Sequence, residues 1–139
     1  MEFVDTNILL YAHDRTAGDK RSRSVSLLEE LDGSGNGALS VQVLQEFVVT
    51  STTRVKPPLA SGEVVAILED LSDWMIYSPG ADDVIEAFQS CLRFKISFWD
   101  AMIVHAARQV EATVLWTEDL SDGQDYGGVV ARNPFKPKE

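Results

Sequence analysis

Short apolar runs alternate with amphipathic stretches along most of the chain. Phe3-Val4, between Glu2 and Asp5, predicts a brief buried strand over residues 2–5. Ile8, Leu9 and Tyr11 then predict a short helix ending near Ala12. Val25, Leu27, Leu28 and Leu31 give one apolar face to a helix over residues 19–31, and the run Asp32-Gly33-Ser34-Gly35-Asn36-Gly37 is expected to stop it. Ala38-Leu39 is the second predicted strand. Ser40 can cap a helix from Val41 into residues 50–53, with Val41, Leu44, Phe47 and Val48 on one face and Glu46 on the other. Pro57-Pro58 marks a turn, and Ser61 caps a helix carrying Val64, Val65, Ile67, Leu68 and Leu71. Trp74-Met75-Ile76-Tyr77 is the third predicted strand, stopped by Pro79-Gly80. Helices over residues 81–94 and 98–111 lead to the clearest strand, Thr113-Val114-Leu115-Trp116-Thr117. An acidic loop over residues 118–128 precedes a last strand, Val129-Val130-Ala131. This alternation predicts an α/β domain with a parallel sheet covered on both faces.

Length and composition narrow the class. The 139 residues, 45% of them hydrophobic, suit a single domain over residues 1–139 with one core. The lone Cys91 rules out an intramolecular disulfide, and a reducing cytoplasm is the simplest setting. Glu2 and Asp5 stand where a signal peptide carries basic residues, and no run is long enough to span a bilayer. A soluble cytoplasmic protein without a membrane partner is expected. The net charge of -10 opposes nucleic-acid binding by bulk electrostatics. Two basic clusters stand out nonetheless: Arg15, Lys20, Arg21 and Arg23, and Arg132, Lys136 and Lys138. Short charge runs are more commonly solvated surface than a partner contact, so charge alone leaves the partner open.

Candidate chemistry lies in acids at the ends of strands. A carboxylate at the carboxyl end of a buried strand faces the crevice where open α/β sheets bind ligands, and Asp5 occupies such a position. Its competing role is to cap the next helix. Asp119, two residues past Thr117, follows the fourth strand in the same way. If the second and third strands extend one side of the first and the fourth lies on the other, Asp5 and Asp119 flank the point where strand order reverses. Asp100 interrupts an apolar helix, and Ser97-Phe98-Trp99-Asp100 also has capping-box spacing. Glu46 faces either water or the cleft. Asp122 and Asp125 suit turns beside Gly123, and Val130 occupies the position where a calcium loop requires a bidentate Glu. His13 and His105 lack a second His or Cys at ligand spacing and look like bystanders.

Phe3-Val4-Asp5-Thr6-Asn7, Gln45-Glu46-Phe47, Phe98-Trp99-Asp100-Ala101 and Trp116-Thr117-Glu118-Asp119-Leu120 resemble, in order, the four acidic motifs of PIN-domain ribonucleases. The resemblance is closest to the VapC toxins of toxin–antitoxin pairs. The ending, Gly127-Gly128-Val129 through Asn133-Pro134-Phe135, is similar to one branch of that family. The resemblance implies a three-layer α/β/α sandwich with strand order 3-2-1-4-5. It implies that Asp5, Glu46, Asp100 and Asp119 bind Mg2+ or Mn2+, with Thr6, Asn7 and Thr117 as polar support. It further implies an RNA substrate, a cognate antitoxin and a homodimer. Glu118, Asp122 and Asp125 are additional acids that leave open which loop carboxylate completes the set.

The residue types suit that chemistry, since hard divalent cations take oxygen ligands and favour attack of water on a phosphodiester. With metal bound at the acids, Arg15, Lys20, Arg21 and Arg23 could hold RNA backbone beyond the site. Two alternatives come from other classes. A catalytically silent PIN-like module for RNA or protein binding should have a broken acid set, and here it is intact. A metal-dependent phosphatase with an aspartyl nucleophile should carry a second acid two residues after Asp5, where the chain has Asn7.

Overall fold

The computed structural model describes residues 1–137. In chain order its elements are β1 (Glu2–Val4), α1 (Thr6–Ala12), α2 (Asp19–Ser34), β2 (Gly37–Ser40), α3 (Val41–Thr53), α4 (Ser61–Leu71), β3 (Met75–Tyr77), α5 (Ala81–Phe94), α6 (Phe98–Gln109), β4 (Val114–Trp116) and β5 (Val130–Arg132). The five strands form one sheet in the order β3-β2-β1-β4-β5, every pair parallel. Helices on both faces complete three α/β/α layers, the architecture expected from the alternation and from the resemblance. Phe3 pairs with Ala38 on one side and Leu115 on the other, and all three side chains are fully buried. Parallel strands buried on both faces lose the alternation of a half-solvated strand and appear as short continuous apolar runs.

Strand order positions the site. β2 and β4 flank β1, so order reverses beside β1, and the segments leaving β1 and β4 emerge together. The Asp5 amide donates to the Trp116 carbonyl at 3.0 Å, and the Thr117 amide to the Arg132 carbonyl at 3.0 Å.

Several boundaries differ from the expected ones. α2 continues through Gly33 to Ser34 and stops at Gly35, which adopts the left-handed conformation with φ 72°. A glycine inside a helix costs only about 1 kcal/mol, less than a packed Leu27 and Leu31 return, whereas the left-handed turn ends the helix. On α3 the buried positions are Gln42, Val43, Phe47 and Ser51, while Val48 is 37% exposed. The helix is apolar on more than one side, so tertiary packing against α1, α4 and β2, not the apolar count, fixed its rotation. α4 begins at Ser61, with Glu63 accepting from the Ala60 amide at 3.4 Å, so Ser61 is its first residue and not its cap. α6 ends at Gln109, before Glu111 takes φ 57°. β5 starts at Val130, because Val129 closes the preceding loop by accepting from the Tyr126 amide. Lys138 lies outside the described residues.

Trp74 leaves the predicted third strand to lay its ring against Gly37, its indole N–H donating to Asp32 at 3.0 Å. A Cβ at Gly37 would fall 2.4 Å from that ring. Gly37→Ala is therefore expected to destabilise the protein by about 1–3 kcal/mol, the usual cost of overpacking. Urea unfolding measures this, and an unchanged midpoint would show that Trp74 moves aside freely.

Candidate functional site

Asp5 is the first residue after β1, and both its oxygens are engaged. Oδ1 accepts from the Thr6 amide at 2.7 Å, capping α1, and Oδ2 accepts from the Thr117 hydroxyl at 2.8 Å. Capping therefore occupies one oxygen and leaves the other to meet Thr117 from the far side of the strand-order reversal. Burial pushes the Asp5 carboxyl from 3.8 up to about 7, against the lowering effect of those two bonds, and Asp119 and Glu46 add repulsion.

The other three acids converge on the same cavity, about 230 Å3, whose lining includes Asp5, Glu46, Asp100 and Asp119 together with Thr6 and Asn7. Glu46 faces the cavity and not bulk water. Its Oε2 accepts from the Thr6 hydroxyl at 3.1 Å and its Oε1 from the Gln42 amide at 2.7 Å. Asp119 Oδ2 accepts from the Asn7 side-chain amide at 2.9 Å, and its own backbone N–H donates to the Thr117 hydroxyl at 3.1 Å. Thr117, 1% exposed, thus ties Asp5 and Asp119 together across the strand-order reversal. Ser97 caps α6 by accepting from the Asp100 amide at 3.1 Å, so the cap uses the backbone of Asp100 and leaves its carboxylate at the cavity. Burial again raises the Asp100 pKa, with Asp119 and Glu46 adding repulsion and the Ser97 hydroxyl opposing it.

The extra loop acids are occupied elsewhere. Glu118 pairs with Lys20 at 2.9 Å and accepts from the Tyr11 hydroxyl. Asp122 accepts from the Asn133 amide at 2.8 Å and Asp125 from the Gly128 amide at 2.7 Å, both as turn residues. None of the three lines the acidic cavity.

Three cavity features were not anticipated. Gln42 holds Glu46 and also donates to the Trp99 carbonyl at 3.2 Å, linking α3 to α6. Its spacing four residues before Glu46 was the available signal. Arg54, at the end of α3, is the one cation among the lining residues, and nothing local in the sequence directs it there. Asn7 Oδ1 is buried with no hydrogen-bond partner among the described residues.

His105 is no bystander. It is 2% exposed, and its Nε2 lies 2.7 Å from Asp83 and 3.6 Å from Glu86, joining α6 to α5. The ligand-capable atoms of these three residues lie within 4.8 Å of one another, close enough to hold a cation. The 2.7 Å separation is nevertheless that of a hydrogen bond, and the same Asp83 oxygen accepts from the Tyr77 hydroxyl. The bonds from Tyr77, Gly80 and His105 lower the Asp83 pKa to about 2. His13 packs edge-on against Phe47 with ring centroids 5.8 Å apart and lies outside both groups.

The basic cluster on α1–α2 does not form one patch. Lys20 is committed to Glu118 and lies over the rings of Tyr11 and Phe135, at 4.9 and 5.4 Å. Arg23 lies over Trp116 at 6.0 Å. Arg15 and Arg21 are exposed.

The PIN domain family model matches residues 3–121 of this chain. Among solved structures, the chain is similar to Mycobacterium tuberculosis VapC20, described as a sarcin-ricin loop cleaving toxin. The TM-score is 0.66 at 18% identity, covering 96% of this chain and 100% of that one. At that identity the likeness is one of fold. Comparison with curated proteins gives no match.

Proposed function

The chain belongs to the PIN-domain family, and from that premise we propose that it is a metal-dependent endoribonuclease, the VapC-type toxin of a toxin–antitoxin pair. The observation that carries the reading is the convergence of Asp5, Glu46, Asp100 and Asp119 on one cavity beside the strand-order reversal. The donor set fits a hard divalent cation: every group is an oxygen ligand, and the buried Asn7 Oδ1 adds a further oxygen without a partner. Asp5, Glu46, Asp100 and Asp119 would hold Mg2+ or Mn2+. Bound there, the cation would offset charge on phosphoryl oxygens and ease deprotonation of an attacking water.

The surrounding residues orient the ligands. Thr117 fixes Asp5, Thr6 and Gln42 fix Glu46, and Asn7 fixes Asp119. Arg54 offers a guanidinium to a phosphate at the cavity. Arg15, Arg21 and Arg23 are available to RNA backbone farther out, whereas Lys20 must first leave Glu118. Removing a group that only orients a metal ligand typically costs roughly 10–100-fold in metal affinity or activity. Thr117→Val is expected to show a loss of that order in Mn2+ binding by calorimetry. Wild-type affinity in this variant would mean that Asp5 is positioned without it.

Two exposed surfaces support the partner readings. α5 exposes Ile85 at 59%, Phe88 at 54% and Leu92 at 64% along one face, which suits a homodimer contact. The groove running from Glu46 past Val49, Arg54 and Trp99 suits an antitoxin segment that places a basic side chain against the acids and apolar ones on Trp99. Among the described residues no helix is long and apolar enough to cross a membrane, and the cytoplasm is the proposed location.

The direct test incubates purified protein with total RNA, with Mg2+ or with EDTA, and sequences the new ends. Discrete Mg2+-dependent ends support the reading, and full cleavage in excess EDTA overturns the metal dependence. Expression of the chain alone should slow growth, and affinity capture from the native cell should recover a small companion protein. Failure of both removes the toxin assignment.

A further inference from the structure

β4 presents its side chains to opposite faces of the sheet. Leu115 and Thr117 face the core and the acids, so Trp116 faces the other way, beside Arg132, its register partner on β5. On that side lies a cavity of about 750 Å3, larger than the acidic one, lined by Arg23, Trp116, Asp122, Arg132, Asn133 and Lys136 among others. Arg23 comes from α2, Arg132 from β5 and Lys136 from the C-terminal segment, so one cation of the first basic cluster meets two of the second here.

The electrostatics of this cleft are unlike those of the rest of the chain. In a protein of net charge -10, three cations line one cavity, and the ion pairs among the described residues involve none of them. The single acid in the lining, Asp122, is held by the Asn133 amide. The indole is fixed as well as framed. Its N–H donates to Glu2 at 2.9 Å, and the Arg23 guanidinium lies 6.0 Å from the ring centroid. A fixed aromatic surface among unpaired cations is the combination that holds single-stranded nucleic acid without base-specific hydrogen bonds. The volume falls within the ~300–1,000 Å3 of small-ligand sites, which leaves room for a nucleotide.

We infer that this cleft is a second, non-catalytic binding site for single-stranded RNA, stacking a base against Trp116 and holding adjacent phosphates on Arg23, Arg132 and Lys136. Trp116 and Thr117 are consecutive, so the cleft backs onto the acidic cavity across the end of β4. That the bound strand is substrate rests on the ribonuclease reading. That the cleft binds RNA does not. An acidic peptide would satisfy the cations, but it gives no reason for a fixed indole between them.

The probe is a fluorescein-labelled oligouridine eight nucleotides long, titrated in EDTA so that cleavage plays no part. Binding is read by anisotropy and by quenching of tryptophan fluorescence. Arg23→Ala and Arg132→Ala should each weaken binding and reduce the slope of log affinity against log salt by about 0.7, one phosphate contact for a single strand. Trp116→Leu should weaken binding by roughly 5- to 150-fold, the range for one base–aromatic stack. The two surface arginine variants keep the test decisive should the tryptophan variant fold poorly. Asp100→Asn, which the ribonuclease reading makes inactive, should bind the oligouridine at least as tightly as wild type. Oligouridine binding that all three cleft variants leave unchanged overturns the inference, whether or not the protein cleaves RNA. So does preferential binding of hexaglutamate, which would assign the cleft to an acidic protein segment. Loss of oligouridine binding in the cleft variants supports it even if no ribonuclease activity is found.

Discussion

Asp100→Asn is expected to reduce RNA cleavage by more than about 100-fold while leaving the fold intact. Groups that merely support a metal ligand cost roughly 10–100-fold when changed, so loss of a direct ligand should cost more. The fold survives because Ser97 caps α6 through the Asp100 backbone N–H, which the substitution retains. The substitution also removes one negative charge from a group whose pKa is raised by burial and by Asp119 and Glu46. The metal-free variant should therefore melt above metal-free wild type, because the folded state no longer has to hold that charge beside two others. Its stabilisation by Mn2+ should shrink, because less cation binds to the folded state. Cleavage assays and thermal melts with EDTA and with Mn2+ test both halves. A metal shift equal to that of wild type would remove Asp100 from the proposed cation site.

Without metal, the protein should lose stability as pH rises from about 4 to about 7. The Asp5 carboxyl has an ordinary pKa of 3.8 and titrates near 7 in the folded protein, chiefly because burial disfavours its charge. Between those values the folded state binds more protons than the unfolded one, so unfolding free energy falls with pH. The full span is on the order of 4 kcal/mol, about 1.36 kcal/mol for each unit of separation. Above about pH 7 Asp5 is ionised in both states and its contribution is level. Asp100, raised for the same reason, adds in the same direction. Asp83 acts oppositely. Its folded pKa near 2 means that its contribution is present above the unfolded value near 3.8 and is lost as pH falls through 2. Stability without metal should thus peak near pH 4–5. Asp5→Asn should flatten the decline on the neutral side and leave the acid side unchanged. Urea unfolding at a series of pH values in EDTA measures both limbs, and a wild-type profile that is flat or rising from pH 4 to 7 contradicts a neutral, buried Asp5. Cation binding requires the ionised carboxyl, so Mn2+ binding below pH 7 should release a proton, visible as buffer-dependent heat in calorimetry.

The local code of this protein is strong. Apolar spacing on α2, α4 and α6 marks helices, and Phe3-Val4 and Val114-Leu115-Trp116 mark strands of the sheet. Their alternation gives a covered parallel sheet. Asp5 and Asp119 were also legible, because a carboxylate just after a buried strand has few places to point other than the crevice. What short-range periodicity cannot carry is which long-range neighbours meet. On a helix wheel Glu46 looks solvated, and only the packing of α3 turns it toward Thr6, forty positions earlier. Glu118 and Asp119 are adjacent acids, yet strand geometry sends one to Lys20 and the other to Asn7. His105 has no partner at ligand spacing because Asp83 and Glu86 reach it across the α5–α6 contact. Arg23 and Lys20, neighbours on one helix, part company, and Arg23 joins Arg132 from the far end of the chain. The sequence by itself determined the elements, the covered parallel sheet and the placement of Asp5 and Asp119 just after strands, since these follow from period, burial and chain direction; Glu46 and Asp100 joined them only through the family resemblance. The tertiary structure alone decided which face of α3 meets the cavity, which loop acid completes it and where the cations gather. Those outcomes depend on contacts between residues tens of positions apart, which no local spacing encodes.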